Sequence, residues 1–136
     1  MSDHAAGGQI AMPKHGEICW SELATTDLEV CKSFYSELFG WKYKESDATE
    51  MRYTEMSNGD GETFGGMYNQ TGEMAGVPPH WMSYVAVDDV DESLAKAEEL
   101  GGQVVVPAMD IPETGRFGVI TDPSGAAIAM ITLSQT

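Results

Sequence analysis

Few side chains in this 136-residue sequence are spaced for chemistry. Its histidines, His4, His15 and His80, are scattered through an N-terminal tail and a mid-chain linker and form none of the close pairs that grip a metal. Cys19 and Cys31 lack metal-type spacing, and two cysteines fit free thiols in a reducing compartment better than a secreted disulfide framework. Ser21 and Ser83 lie in strand-like runs, with no strand histidine to activate either as a nucleophile. The run GDGETFGG has the glycines of a phosphate loop without its lysine and following helix. Two charged residues stand out. Glu22 is a lone acid in the apolar run EICWSEL, and such an acid on an inward strand face is costly unless paired. Arg116 stands in a chain with 7 basic residues, suited to a carboxylate ligand or to an ion pair with a neighbouring acid.

The charge balance narrows the partners. Twenty-two acidic residues give a net charge of −15, which disfavours nucleic acid and anionic lipid, since both require positive surface. A cationic ligand, or solubility alone, suits it better. With 42% hydrophobic and 9% aromatic residues, the chain is too apolar for a disordered tail and long enough for one domain. The first 16 residues hold no apolar core of signal-peptide length, and the longest apolar run, Ala126 to Ile131, is far too short to span a bilayer. The expectation is a cytoplasmic protein that neither enters nor needs a membrane.

Residues 1–16 read as a tail and 17–136 as a single domain of two units, 17–69 and 80–133, with the proline-bearing linker 70–79 between them. EICWSEL has strand character. Thr26, with Glu29 three residues on, resembles a capping box and predicts a helix whose apolar face is Leu28, Cys31, Phe34, Tyr35 and Leu38, ended by Gly40. WKYKE, MRYTEMS and TFGGMYN follow as strands. The order then recurs: strand WMSYVAV, a helix capped by Asp89 with Val90, Leu94, Ala97 and Leu100 inward, a Gly101-Gly102 stop, and strands QVVVPA, RFGVITD and GAAIAMITL. Asp27 falls on Asp89 at an offset of 89 − 27 = 62, which grows to 125 − 61 = 64 at the later turn. A period near half the chain length means two copies of a βαβββ unit, neither able to bury its sheet alone.

The run ELATTDLEVCKSFYSELFGWKY, its echo YVAVDDVDESLAKAEELGGQV and the closing GRFGVITDPSGAAIAMI resemble the vicinal oxygen chelate superfamily, which includes glyoxalase I, bleomycin-resistance proteins and extradiol dioxygenases. The resemblance covers about Glu17 to Leu133 and is greatest for the bacterial glyoxalase-like, bleomycin-resistance-like subgroup. It implies an α+β fold in which two βαβββ repeats form a curled eight-stranded mixed sheet around a cleft, and a homodimer. In the enzymes of this family His, Gln or Glu on the first and last strand of each unit hold a divalent ion that polarises a substrate oxygen. Counted from the motifs, those positions fall at Trp20, Gly65, Met82 and Ala129. None of these side chains holds a hard cation, so the resemblance transfers the cleft and no metal is expected; a displaced divalent metal site involving Glu22 is the alternative.

If Trp20 faces the cleft, strand alternation turns Ile18 and Glu22 the same way and Cys19, Ser21 and Leu23 toward the helix. Met82, Tyr84 and Ala86, then Ala127, Ala129 and Ile131, line the second unit, with Gly65 and Met67 on the fourth strand. Trp20, Met67, Met82, Tyr84 and Arg116 are thus the candidate ligand contacts and Glu22 the candidate catalytic acid–base. Each has a structural counterpart reading: Trp20 and Met82 as a collapsed core, Glu22 as a hydrogen-bond partner of Tyr84 or Arg116. Met74 and the MAGVPPHW segment suggest a lid at the cleft mouth. Three functions follow. The first is a metal-independent binder of a small, cationic or aromatic organic molecule. The second is a lyase, isomerase or oxygenase, and the third an interaction module with a filled cleft.

Overall fold

The computed structural model describes residues 12–46, 52–59, 61–72 and 76–134. The tail up to residue 11, with His4, and Met74 of the expected lid lie outside them. Eight strands and two helices follow in order: β1 (Ile18–Thr25), α1 (Leu28–Phe39), β2 (Lys42–Ser46), β3 (Tyr53–Ser57), β4 (Gly65–Asn69), β5 (His80–Ala86), α2 (Val90–Glu99), β6 (Gln103–Ile111), β7 (Gly115–Thr121) and β8 (Ala127–Leu133). They form one open mixed sheet in the order β2-β3-β4-β1-β5-β8-β7-β6. Each unit is a βαβββ repeat, as its sequence period implies, with its first and fourth strands parallel. The units join where β1 and β5 run antiparallel, Ser21 opposite its repeat mate Ser83. Neither described helix is long and apolar enough to cross a membrane.

Local chemistry sets the helix ends. Asp89 caps α2, its carboxylate accepting from the Glu92 amide at 3.1 Å. In the first unit the cap is Asp27 rather than Thr26: Asp27 accepts from the Val30 amide at 3.2 Å, while the Thr25 hydroxyl accepts from the Asp27 amide. The repeat explains this, because Asp27 is the residue that aligns with Asp89. Gly40 ends α1 at φ 79°, a left-handed turn that suits glycine.

Both helices cover the same side of the sheet. Leu23, Leu28, Met56 and Met67 form the core under α1, and Val87, Val90, Leu94 and Met130 the core under α2. Within α1 only part of the expected apolar face turns inward: Leu28, Cys31 and Tyr35 pack on the sheet, whereas Phe34 and Leu38 are each 57% exposed.

Two register details correct the alternation drawn from the sequence. Met67 stands beside Leu23 and Gly65 beside Ser21, so both share the helix side. The repeat mate of Ala129 is therefore Gly66, the partner of Glu22 just as Ala129 is the partner of Tyr84. Counting through the turns slipped by one residue, which in a strand reverses every side chain. A bulge between Ile18 and Trp20 does the same to the start of β1. It pairs Ile18 with Val85 on the helix side, exposed at its edge, and leaves Cys19 packed among the residues of the opposite face.

Met67 is fully buried in the α1 core. Met67→Ala is expected to destabilise the fold by about 2–5 kcal/mol, as cavity-forming substitutions do, measured by urea unfolding. Any ligand effect at the opposite face should remain unchanged.

Candidate functional site

On the face away from the helices, alternation along the paired β1 and β5 brings Trp20 opposite Tyr84 and Glu22 opposite Met82. The carboxyl of Glu22 lies between two phenols. Tyr84 of the second unit donates to Oε1 at 2.8 Å, and Tyr53 of β3 donates to Oε2 at 2.8 Å. Tyr53 in turn accepts from the Trp20 indole Nε1 at 2.8 Å. The result is a linked chain, Trp20 to Tyr53 to Glu22 to Tyr84, across the seam between the units. Tyr68 stacks on Tyr53 with ring centroids 6.5 Å apart, and Phe117 lies 6.3 Å from Tyr84. A side chain at Gly66 would occupy the space of the Tyr53 phenol, so the bare backbone there is what admits the ring.

Burial pushes the Glu22 carboxyl above its usual range, and the bonds from Tyr53 and Tyr84, with the nearby His80, pull it part of the way back. Burial, reinforced by the adjacent Glu22 charge, raises both phenols well above the ordinary tyrosine range. They stay protonated and act as donors to the carboxyl. The Tyr84 oxygen keeps acceptor capacity though the residue is buried, and the indole donor of Trp20 is already used. The polar part of the site therefore offers acceptors, beside an apolar wall of Val119, Ala129 and Ile131 with Met82 and Phe117 packed against it.

The structure brings Trp20, Glu22, Met82 and Tyr84 together, and Glu22 is bonded to Tyr84 as one of its expected partners. Two expected contacts lie elsewhere. Met67 is under α1, for the register reason given above. Arg116 is on the helix side, bridging Asp91 of α2 and Asp110 of β6 at 2.9 Å each. Its repeat mate Arg52, at 116 − 52 = 64, bridges Glu29 at 2.7 Å and Glu45 at 3.1 Å in the same way. These arginines tie a helix start to an edge strand in each unit, so Arg116 is a structural brace and Glu22 draws nothing from it. The residue missed from the sequence is Tyr53. One signal pointed to it: an offset of 64 makes it the mate of Phe117, one residue along from the arginine pair on the alternate face.

A family model described as the Glyoxalase/Bleomycin resistance protein/Dioxygenase superfamily matches residues 9–130. The chain belongs to that superfamily. A protein of Mycobacterium tuberculosis named as a candidate glyoxylase, CFP32, is 40% identical over 126 residues, which cover 88% of this chain and 48% of that protein. The anthracycline biosynthesis protein DnrV of Streptomyces peucetius is 32% identical over 128 residues, covering 85% of this chain and 46% of DnrV. The chain thus spans about half the length of these curated relatives. The methylmalonyl-CoA epimerase of Streptomyces coelicolor, solved with 2-nitronate-propionyl-CoA, superposes with a TM-score of 0.63 at 17% identity, covering 90% of this chain and 98% of that one, a likeness of fold alone.

The glyoxalase superfamily's divalent ion does not fit the side chains at this seam. With the register corrected, its four positions fall at Trp20, Gly66, Met82 and Ala129: an indole, two groups without donors, and a thioether too soft for a hard cation. Both oxygens of the neighbouring Glu22 are engaged by phenols. Among the described residues no three His, Cys, Asp or Glu side chains are grouped to hold an ion.

A carboxyl raised by folding favours the native state while it is protonated, and that contribution is lost as pH rises through its folded pKa. Glu22→Gln keeps the shape and removes the charge. The stability of the wild type relative to this variant should therefore fall as pH is raised from below the usual carboxylate range to neutrality, measured by urea unfolding across that range. A difference that stays flat or grows would mean Glu22 is not desolvated as described.

Proposed function

We propose that this superfamily member binds a small organic molecule on the open face at the β1–β5 seam, without a resident metal. The observation that carries the reading is the part-buried Glu22 carboxyl, bonded by two neutral phenols and held in no salt bridge among the described residues, with His80 acting on it only through space. A site of acceptors and aromatic faces selects a ligand that brings donors, above all an organic ammonium whose apolar body lies against Met82, Phe117 and Ala129. Arrival of a cation lowers the Glu22 pKa toward normal, so binding releases a proton below the folded pKa and tightens as pH rises. The occurrence of DnrV, named for anthracycline biosynthesis, among the relatives supports an organic ligand, as does the acyl-CoA analogue held by the epimerase neighbour. The cytoplasm remains the proposed compartment.

A thermal-shift and calorimetric screen of aromatic and quaternary amines, such as phenethylamine and benzyltrimethylammonium, tests this with and without EDTA. Binding should survive EDTA, and Glu22→Gln or Trp20→Ala should each weaken it by roughly tenfold or more, about 1.4 kcal/mol. Equal binding by both variants, or a stoichiometric ion whose removal abolishes binding, would overturn the reading. A second reading, a lyase or isomerase with Glu22 as acid–base, is favoured by the raised Glu22 pKa, since a base poised nearer neutrality transfers protons more effectively. Its mark is turnover of a bound compound that Glu22→Gln abolishes while affinity persists.

A further inference from the structure

The end of the open face nearest the linker carries an acceptor that the Glu22 chain does not use. His80 begins β5 opposite Ala24, two residues along β1 from Glu22, so its ring shares the face of Glu22 and Met82. Its ring nitrogen Nδ1 lies 2.9 Å from the Pro78 carbonyl oxygen. A carbonyl can only accept, so the hydrogen of the neutral ring sits on Nδ1 and Nε2 keeps its lone pair. Among the described residues no donor reaches that Nε2. The carbonyl is itself held. Gln70 follows β4, its backbone amide bonded to the Thr25 carbonyl, and its side-chain amide donates to the Val77 oxygen at 2.9 Å and more loosely to the Pro78 oxygen at 3.5 Å. Turning that amide over would set its oxygen against two carbonyls, so the donor side is the one that faces the linker. The fold bears a cost for this grip: Gln70 is 6% exposed and its Oε1 has no partner among the described residues. A buried amide kept with one end unsatisfied is kept for the other end, which fixes the two carbonyls ahead of His80.

We propose that Nε2 of His80 is a second acceptor of the ligand site, oriented by Gln70 through the Pro78 carbonyl. The ligand is then an aromatic amine with a separate hydroxyl or N–H donor. This inference rests on the amine reading of the Glu22 face and narrows it. Glu22 and His80 are diagonal neighbours across the β1–β5 seam, a spacing of roughly 7–8 Å, and Met82 lies directly opposite Glu22. A phenyl ring with an ammonium arm on one side and a donor on the other spans a distance of that order, its body crossing Met82. Charge tells the two ends of such a ligand apart. The carboxyl meets the cation, and the neutral imidazole nitrogen meets the neutral donor. Ala24 lies between Tyr68 and His80 in the sheet and is 2% exposed, so this end of the face is walled rather than flat. In a walled site an analogue without the donor is disfavoured, because the acceptor loses water and gains no partner. His80 contacts the ligand, and Gln70 is a positioning residue that acts through it.

Calorimetric titration of the 136-residue chain with phenethylamine, tyramine and 4-methoxyphenethylamine tests the proposal, in mildly alkaline buffer where a histidine ring is ordinarily neutral. Tyramine adds a donor to phenethylamine, and the methoxy compound fills the same place without one. Tyramine is expected to bind about three- to tenfold more tightly than phenethylamine, the worth of one net hydrogen bond, and the methoxy compound no more tightly. His80→Asn keeps an N–H that reaches Pro78 from the Nδ1 position and lacks Nε2, so it should bring tyramine down to the affinity of phenethylamine. Gln70→Met should reduce the same ratio by releasing the carbonyl that orients the ring. A role confined to folding would weaken all three amines alike. That outcome, or a methoxy compound that matches tyramine, overturns the proposal. Nitrogen NMR of the wild-type imidazole, which depends on neither variant folding, is expected to show the hydrogen on Nδ1, and a hydrogen on Nε2 alone overturns it too. If none of the three amines binds, the amine reading and this inference fall together, whereas equal binding by all three defeats this inference alone.

Discussion

The desolvated carboxyl of Glu22 is the interaction around which the open face is arranged. Removing a carboxyl from water is costly, and here two phenol donors offset that cost. They come from different places: Tyr53 from β3, two strands away in the first unit, and Tyr84 from β5, the first strand of the second. Satisfying one acid therefore links the outer strands of one unit to the seam with the other. The dependence runs further, because Tyr53 is held by the Trp20 indole and reaches Glu22 across the bare backbone of Gly66.

The duplication shows how two copies of one unit took different tasks. Glu22 and Tyr84 are repeat mates, as are Trp20 and Met82, and Tyr53 and Phe117. In each pair the first unit supplies the polar or hydrogen-bonding member, or both do, and the second unit surrounds Tyr84 with an apolar cluster. On the helices the divergence is partial: Val30 and Phe34 are exposed on α1 where α2 carries Glu92 and Lys96, whereas Leu38 and its mate Leu100 are exposed in both units. What both units retained is the arginine brace, Arg52 and Arg116, which holds a helix start against an edge strand. In a chain so poor in cations, two are committed to architecture.

Much of this was legible in the residues. The offset between Asp27 and Asp89, the glycine stops and the alternating strands imply the duplicated fold, and the alternation of β1 and β5 places Trp20, Glu22, Met82 and Tyr84 on one face. The errors share a cause. Met67 and Gly65 were located by counting across a turn, and one extra residue there inverts a strand. Cys19 and Ile18 were located by unbroken alternation, which a bulge interrupts. Periodicity likewise grouped Phe34 and Leu38 with Leu28, Cys31 and Tyr35 as one apolar face, without saying how wide a strip of α1 the sheet covers.

The sequence by itself determined the unit, its repetition and the lack of suitable metal donors at the family's positions, because each follows from residue type and local period. Only the tertiary structure decided that Tyr53 completes the Glu22 pair, that Arg116 braces a helix and that a row of α1 stays uncovered. These depend on register between strands distant in sequence and on which surfaces meet across the sheet, quantities that short-range spacing does not encode.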